Sequence, residues 1–209
     1  AVSNYPQFAI GLGKTVLLDK NFNITGFQKI NEENIFTELH EFQYLDDDTI
    51  VQIGSKSHKY DNQNVDSGII SILNQKNGTN FIWDSIDHVS PDSSIVPMKE
   101  WGMKSNDYFH MNAVRILSDG NYLASARHTQ TIMKIDKLSG EIIWHMGKGS
   151  LNNFKFINDP YNGFSHQHAP EELDNKNILI WDNGIGSIEN GSRVCEYQID
   201  EDKLTATLV

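Results

Sequence analysis

Three stretches of this chain, each headed by a histidine, repeat one short β pattern. They begin at His40, His110 and His168. In each, a first strand is followed by a polar turn and then by an apolar strand. The turns are Asp46-Asp47-Asp48, Ser118-Asp119-Gly120 and Asp174-Asn175-Lys176-Asn177. When copies of one unit stack by rotation about an axis, equivalent positions face a common point. The pattern therefore predicts that the three imidazoles converge on one site.

Further strand pairs lie between these stretches. The sequence predicts pairs at 68–73 with 80–83, at 131–136 with 141–144, and at 193–200 with 204–209. Asn77-Gly78 and Ser139-Gly140 suit tight hairpins. No stretch keeps an apolar period of 3.6 over three turns, while β-branched and aromatic residues dominate the ordered segments. We therefore expect an all-β fold built from four-stranded antiparallel units.

Four-stranded units that recur at roughly 60 residues are typical of a β-propeller, with a β-sandwich as the alternative. We interpret 1–209 as a single partial propeller domain. It would comprise the outer half of one blade (1–35) and blades at 36–88, 105–148 and 164–209, the last incomplete at its end. About three and a half blades cannot close a ring of the usual six. We therefore expect a longer protein, or another copy in a homo-oligomer, to complete the ring.

The composition excludes several classes of partner. A formal charge of -11 argues against binding to nucleic acid or to an anionic membrane, and no segment has the roughly 20 apolar residues that span a bilayer. Ala1 begins without a leader, so a signal peptide is expected to be absent or removed. Cys195 is the only cysteine and is predicted to be a packed thiol. Sequons at Asn23, Asn77 and Asn190 weakly favour an exported glycoprotein, although the last two also read as turns.

A candidate anion pocket surrounds His110. Asn112 follows at a spacing of two, which places both side chains on one face of a strand. Arg127 ends the next strand, after the chain has reversed, and so returns to the rim where His110 began. Arginine supplies a fixed charge, asparagine a neutral donor, and histidine a group that can donate, accept or attack. The set predicts a pocket for a compact oxyanion, with one imidazole as nucleophile.

At this point the strings of the chain closely resemble the arylsulfate sulfotransferases. The matching segments run in the order of that family from Glu38-Leu39-His40, through 108–114, 119–128 and 134–144, to 164–169, 181–184 and 192–197. The resemblance implies a six-bladed propeller, secreted or periplasmic, that moves a sulfuryl group from an aryl sulfate to a phenol. No cofactor or nucleotide donor is implied.

The resemblance also implies roles for individual residues. His168 would be the nucleophile that is transiently sulfated. His40 and His110 would stabilise the sulfuryl oxygens or protonate the leaving phenolate, and Asn112 and Arg127 would hold the sulfate group. A phenolate whose conjugate acid has a pKa of about 10 gains from a proton or a positive charge.

Two other functions stay open on the sequence alone. A propeller could retain the fold as a non-catalytic extracellular scaffold. Three histidines could also ligate zinc, although Arg127 argues against a cationic centre, and we predict no metal site.

Several neighbouring residues are predicted to have structural roles only. His128 and His166 adjoin the site residues, but a direct role is not the favoured interpretation. Asp182-Asn183-Gly184 is predicted to form a turn, and Trp83 and Trp144 are predicted to pack in equivalent positions.

Overall fold

The chain folds into β-strands joined by short turns. The computed structural model describes residues 13–45, 47–78, 80–96, 106–184 and 191–209. Within these ranges the helical segments are two 3₁₀ turns, Ser85–Asp87 and Pro91–Ser93. Over the described ranges, no helix has the length and apolar character that crossing a membrane requires.

The strands form four sheets in chain order. Sheet 1 pairs β1 (Thr15–Leu18) with β2 (Ile24–Gln28). Sheet 2 contains β3 (Ile35–Tyr44), β4 (Thr49–Tyr60), β5 (Gln63–Asn74) and β6 (Asn80–Asp84), with β7 (Asn106–Asp107) beside β5. Sheet 3 contains β8 (Met111–Ile116), β9 (Tyr122–Ala126), β10 (Thr131–Ile135) and β11 (Ile142–Gly147). Sheet 4 joins β12 (Lys155–Ile157) to β13 (His168–Glu172), β14 (Ile178–Asp182), β15 (Arg193–Asp200) and β16 (Thr205–Leu208).

The predicted all-β class and the four-stranded antiparallel units are confirmed. Sheets 2, 3 and 4 each pair four consecutive strands antiparallel, whereas the predicted blade boundaries at 36–88, 105–148 and 164–209 stay predictions. Two parallel pairings were not predicted, β7 on β5 and β12 on β16. The division into a single domain and the closure of these sheets into a propeller stay predictions.

One hairpin geometry recurs in sheets 2, 3 and 4, at the turns that follow β3, β8 and β13. In each case a leucine donates its backbone N–H to the carbonyl four residues later and accepts from the N–H three residues later. These leucines are Leu45, Leu117 and Leu173. The third residue after each has a positive φ: Asp48 at 62°, Gly120 at 87° and Lys176 at 69°. The repeat read from the sequence is therefore real at the level of the backbone, although Asp46 lies outside the described residues.

Two hydrophobic cores cover both faces of sheet 3. The period of two sends Ala124 and Met133 into a core shared with sheet 2, and Leu123 and Ile132 into a core shared with sheet 4. Cys195 lies in the second core, as expected of a packed thiol. The buried Trp83 and Trp144 are also core residues. Apolar burial at roughly 25 cal/mol per Å² thus holds the three sheets face to face.

The strands β3, β8 and β13, one from each of sheets 2, 3 and 4, lie side by side, because β8 contacts both β3 and β13. His168 begins β13, and His110 directly precedes β8. The prediction that each histidine heads its strand is wrong for His40, which lies in the middle of β3. There the register shifts between Thr37 and Phe42, so a bulge turns this part of the strand out of the regular ladder.

A buried ion-pair network closes the loop that leads to β13. The side chain of Asp159 is fully buried and accepts hydrogen bonds from Arg193 Nη1 at 2.9 Å and from the Tyr197 hydroxyl at 2.6 Å. Arg193 Nε also donates to Asp182 at 2.9 Å, and Asp182 accepts from the backbone N–H of Ser165 at 2.9 Å. Arg193 therefore joins β15 to the segment that carries His168.

We expect Arg193→Ala to lower the free energy of unfolding by about 3 kcal/mol, because two buried carboxylates lose their cation. Urea denaturation measures this, and Lys203→Ala, which removes an exposed pair with Asp200, is the control expected to leave the midpoint unchanged. Burial alone would raise the pKa of Asp159, but hydrogen bonds from Arg193 and Tyr197 lower it to about 2. The stabilisation that the ionised Asp159 carboxylate contributes should persist above pH about 4 and be lost as the pH falls towards 2. A variant as stable as the parent at pH 7 would contradict the assignment.

Candidate active site

The three repeat histidines meet at one place. The ring centroids of His40 and His110 lie 5.5 Å apart, and those of His40 and His168 lie 6.1 Å apart. Each histidine lies in or directly beside a different sheet, and β8 contacts both β3 and β13. The structure thus brings together three histidines that the sequence analysis selected and that lie 58 to 128 positions apart in the chain.

The backbone around the rings adopts unusual conformations. His110, His166 and Ala169 have φ values of 52°, 51° and 47°, in the left-handed region that L-residues disfavour. Such residues cost about 1–3 kcal/mol each and persist where surrounding contacts fix them. For His110 the contacts are a bond from its N–H to Asp107 Oδ1 at 2.8 Å and one from the Arg127 N–H to its carbonyl at 2.9 Å. The local chain is therefore held in place from both sides.

Carboxylates hold the Nδ1 atoms of two of the rings. Glu38 Oε2 lies 2.7 Å from Nδ1 of His40, and Asp107 Oδ2 hydrogen-bonds Nδ1 of His110. Glu38, Asp107 and His110 line one shallow cleft. The hydrogen bond to Glu38 raises the pKa of His40 above its usual value, and burial partly opposes this. Charge pairing therefore favours the protonated form of His40.

His168 has neutral partners instead. Its Nδ1 lies 3.1 Å from the carbonyl oxygen of His166 and 2.9 Å from Asn183 Nδ2. A carbonyl can only accept and an amide nitrogen can only donate, so these two contacts place opposite demands on Nδ1. The tautomer that leaves a lone pair on Nε2 is the one in which Nδ1 donates to the His166 carbonyl. Burial lowers the pKa of His168, and positive charge on His40, His110 and Arg127 lowers it further. The ring is thus favoured in its neutral form, the form in which an imidazole can act as a base or a nucleophile.

Arg127 supplies uncompensated positive charge. It follows β9 and is half-buried. Within the described part of the chain it makes no ion pair, and Asp107 is the anionic group that acts on its pKa, which burial lowers. Its charge also lowers the pKa of His166, after the larger effect of burial. A guanidinium in this position can bind an oxyanion through fork-like donors.

Asn112 lies deeper than the sequence analysis expected. Its side chain is buried, and Nδ2 donates to the backbone carbonyl of Gln167 at 2.7 Å. The spacing of two does not keep it level with His110, because the β8–β9 register shifts between Met111 and Ala113. Its Oδ1 has no hydrogen-bond partner among the described residues. Asn112 therefore fixes the chain beside His168, and its predicted contact with sulfate stays a prediction.

Sequence reasoning missed two residues that position His168. The fully buried Gln167 donates from Nε2 to the carbonyls of Ala126 and Thr131, at 3.0 and 2.8 Å. Asn183 Nδ2 donates to the carbonyl of His166 at 2.5 Å, while its Oδ1 accepts from Trp181 at 2.9 Å. The predicted turn role of Asn183 is therefore incomplete. A polar residue just after the strand that pairs with His168 was the available signal.

His128 completes a cluster with Asp107 and His110, in which one ligand atom from each lies within 4.8 Å of the others. The donor types would suit a divalent metal. However, Nδ1 of His128 donates to the Asp107 carbonyl at 2.6 Å, and the Asp107 carboxylate already pairs with His110. Burial lowers the pKa of His128 to about 4, so this ring is neutral. We interpret the cluster as a hydrogen-bonded network that orients His110.

Comparison with known proteins gives one family. The model of the arylsulfotransferase (ASST) family matches residues 18–209, a range that includes every site residue described above. A search of curated proteins finds no match.

We expect Arg127→Ala to raise the pKa of His168, because the guanidinium charge disfavours the protonated ring. The imidazole ¹H and ¹⁵N shifts followed by NMR across pH 4–9 measure this, and wild-type His168 should titrate below about 6.5. Lys176→Ala is the control, since this lysine pairs with Glu172 and should leave His168 unchanged. An unchanged or lowered pKa in Arg127→Ala would refute the electrostatic link.

Proposed function

This chain belongs to the arylsulfotransferase family, and we propose on that basis that it transfers a sulfuryl group from an aryl sulfate to a phenol through a sulfated His168. The observation that carries the proposal is the meeting of three imidazoles near the Arg127 guanidinium, which has no ion pair among the described residues. A neutral nucleophile, cationic donors and a fixed positive charge are the groups that such a transfer needs.

The first half-reaction transfers the sulfuryl group to the protein. The lone pair on His168 Nε2 attacks sulfur, an N–S bond forms, and the S–O bond to the aryl group breaks. The phenolate leaves with the bonding electrons and takes a proton from His40 or His110. The sulfated ring carries positive charge, which the His166 carbonyl stabilises through its contact with Nδ1 at 3.1 Å.

The second half-reaction reverses these steps with a different phenol. The acceptor hydroxyl gives its proton to the histidine that lost one, and its oxygen attacks sulfur. The N–S bond then breaks, and His168 returns to its neutral form. Arg127 stabilises charge on the outer sulfuryl oxygens in both steps, and Asn112 holds the adjoining backbone. Because the group transferred is compact and anionic, positioning and electrostatics would supply most of the rate.

The same proposal includes the finer features of fold and location. Sheets 2, 3 and 4 would be blades of a six-bladed propeller, with sheet 1 as half of a fourth, around an axis through the histidines. The ring would be completed by more of the same protein or by another copy. We also propose a secreted or periplasmic location. Of the sequons, Asn77-Gly78 forms the β5–β6 turn, whereas Thr79 and Asn190 lie outside the described residues.

We expect His168→Ala to reduce transfer from 4-nitrophenyl sulfate to phenol by at least about a thousand-fold, because the covalent route loses its nucleophile. With donor and no acceptor, mass spectrometry should find wild-type His168 heavier by one sulfuryl group and the variant unmodified. His145→Ala is the matched control, since His145 is a half-buried histidine on β11 that burial keeps neutral. Undiminished transfer by His168→Ala would sink the mechanism. No turnover by wild type on any aryl sulfate would favour a non-catalytic scaffold.

A further inference from the structure

In sheets 2 and 3, a carboxylate two or three residues before the histidine contacts both the backbone N–H and the Nδ1 atom of that histidine. Glu38 Oε2 accepts from the backbone N–H of His40 and lies beside Nδ1 of the same residue, both at 2.7 Å. Asp107 does this with its two oxygens, one on the backbone N–H of His110 at 2.8 Å and the other on Nδ1. Both contacts within each pair come from one short segment, so the carboxylate and the ring move as a unit.

The third repeat lacks the carboxylate. Two residues before His168 stands His166, and it is the backbone carbonyl of His166 that meets Nδ1, at 3.1 Å. A carbonyl orients the ring as a carboxylate does, but it brings no negative charge. Each of the three rings is thus oriented by an oxygen atom at Nδ1, which is a charged carboxylate for His40 and His110 and a neutral carbonyl for His168.

The burial of Glu38 makes its charge effective. Its side chain is 7% exposed and that of His40 is 27% exposed, so water screens the pair only in part. A buried carboxylate is costly unless a cation meets it. The other groups that act on His40 are Asp107, which favours its protonated form, and the rings of His110 and His168, which contact it. With Nδ1 held by Glu38, Nε2 is the nitrogen that remains for substrate.

We propose that Glu38 is a positioning residue that keeps His40 as a cationic proton donor, which makes His40 the acid that protonates the leaving phenolate. This inference rests on the proposed sulfuryl transfer. In the step, the N–H bond at Nε2 of His40 breaks as an O–H bond forms on the phenolate, while Glu38 stays ionised and Nδ1 keeps its proton. The acceptor phenol restores the Nε2 proton in the second half-reaction. His168, which has no carboxylate, stays free to attack.

The experiment compares Glu38→Gln with Glu41→Gln. Glu41 is a matched control because it is also a buried carboxylate of β3, but its partner is Arg115, which keeps a second partner in Glu171. With phenyl sulfate, a donor whose leaving group needs a proton, kcat/KM of Glu38→Gln should fall by about a hundred-fold. With 4-nitrophenyl sulfate, whose leaving group is more acidic, the loss should be less than ten-fold. Glu38→Asp, which restores a carboxylate, should recover part of the activity on phenyl sulfate.

Two further readouts separate a charge effect from misfolding. Transfer by wild type should decline as the pH rises through the pKa of His40, because the acid form is lost, and this limb should move to lower pH in Glu38→Gln. NMR titration should show the pKa of His40 lowered in Glu38→Gln and unchanged in Glu41→Gln, and it needs no substrate.

The outcomes distinguish the two proposals. Equal losses on both donors, or an unchanged pKa of His40, would overturn the role of Glu38 and leave the sulfuryl transfer standing. Absence of transfer by wild type would overturn the proposed function, and with it the acid role of His40.

Discussion

Burial of both faces of sheet 3 is the constraint on which the rest of the structure depends. Its strands alternate apolar side chains between two cores, one shared with sheet 2 and the other with sheet 4. Neither neighbour can turn away without exposing apolar surface to water. The stack in turn places β3, β8 and β13 together, and those strands carry or adjoin the three histidines. The site therefore inherits its geometry from packing between sheets.

Polar contacts then set the local positions that packing leaves free. Gln167 ties the segment before β13 to sheet 3, and Arg193 ties the same region to β15 through Asp182. Asn112 Nδ2 donates to the backbone carbonyl of Gln167. Buried donors and acceptors are costly when unpaired, so each contact restricts the chain beside His168 to few conformations. Such restriction would favour the proposed attack of His168 on sulfur, which needs a defined distance.

Charge divides the three histidines, although the rings of His110 and His168 both lie within about 6 Å of the ring of His40. Glu38 and Asp107 stand behind two of them, and a neutral carbonyl stands behind the third. Cations on neighbouring groups also disfavour the protonated form of His168. One scaffold thereby raises the pKa of His40 and lowers that of the neighbouring His168, which is the separation that the proposed acid and nucleophile roles require at one pH.

The sequence by itself determined the strands, their antiparallel order, the repeated turns and the identity of the converging histidines. These follow from short-range signals: a period of two, turn residues that accept positive φ, and histidines eight to ten positions before those turn residues. Only the tertiary structure decided that His40 lies on a bulge, that the Asn112 side chain is buried, and that Asn183 contacts His168. Bulges and hydrogen bonds between sheets depend on how distant segments pack, and no local pattern encodes that. The charge on each imidazole is likewise a property of its surroundings, because it depends on which group meets Nδ1 and on how far water is excluded.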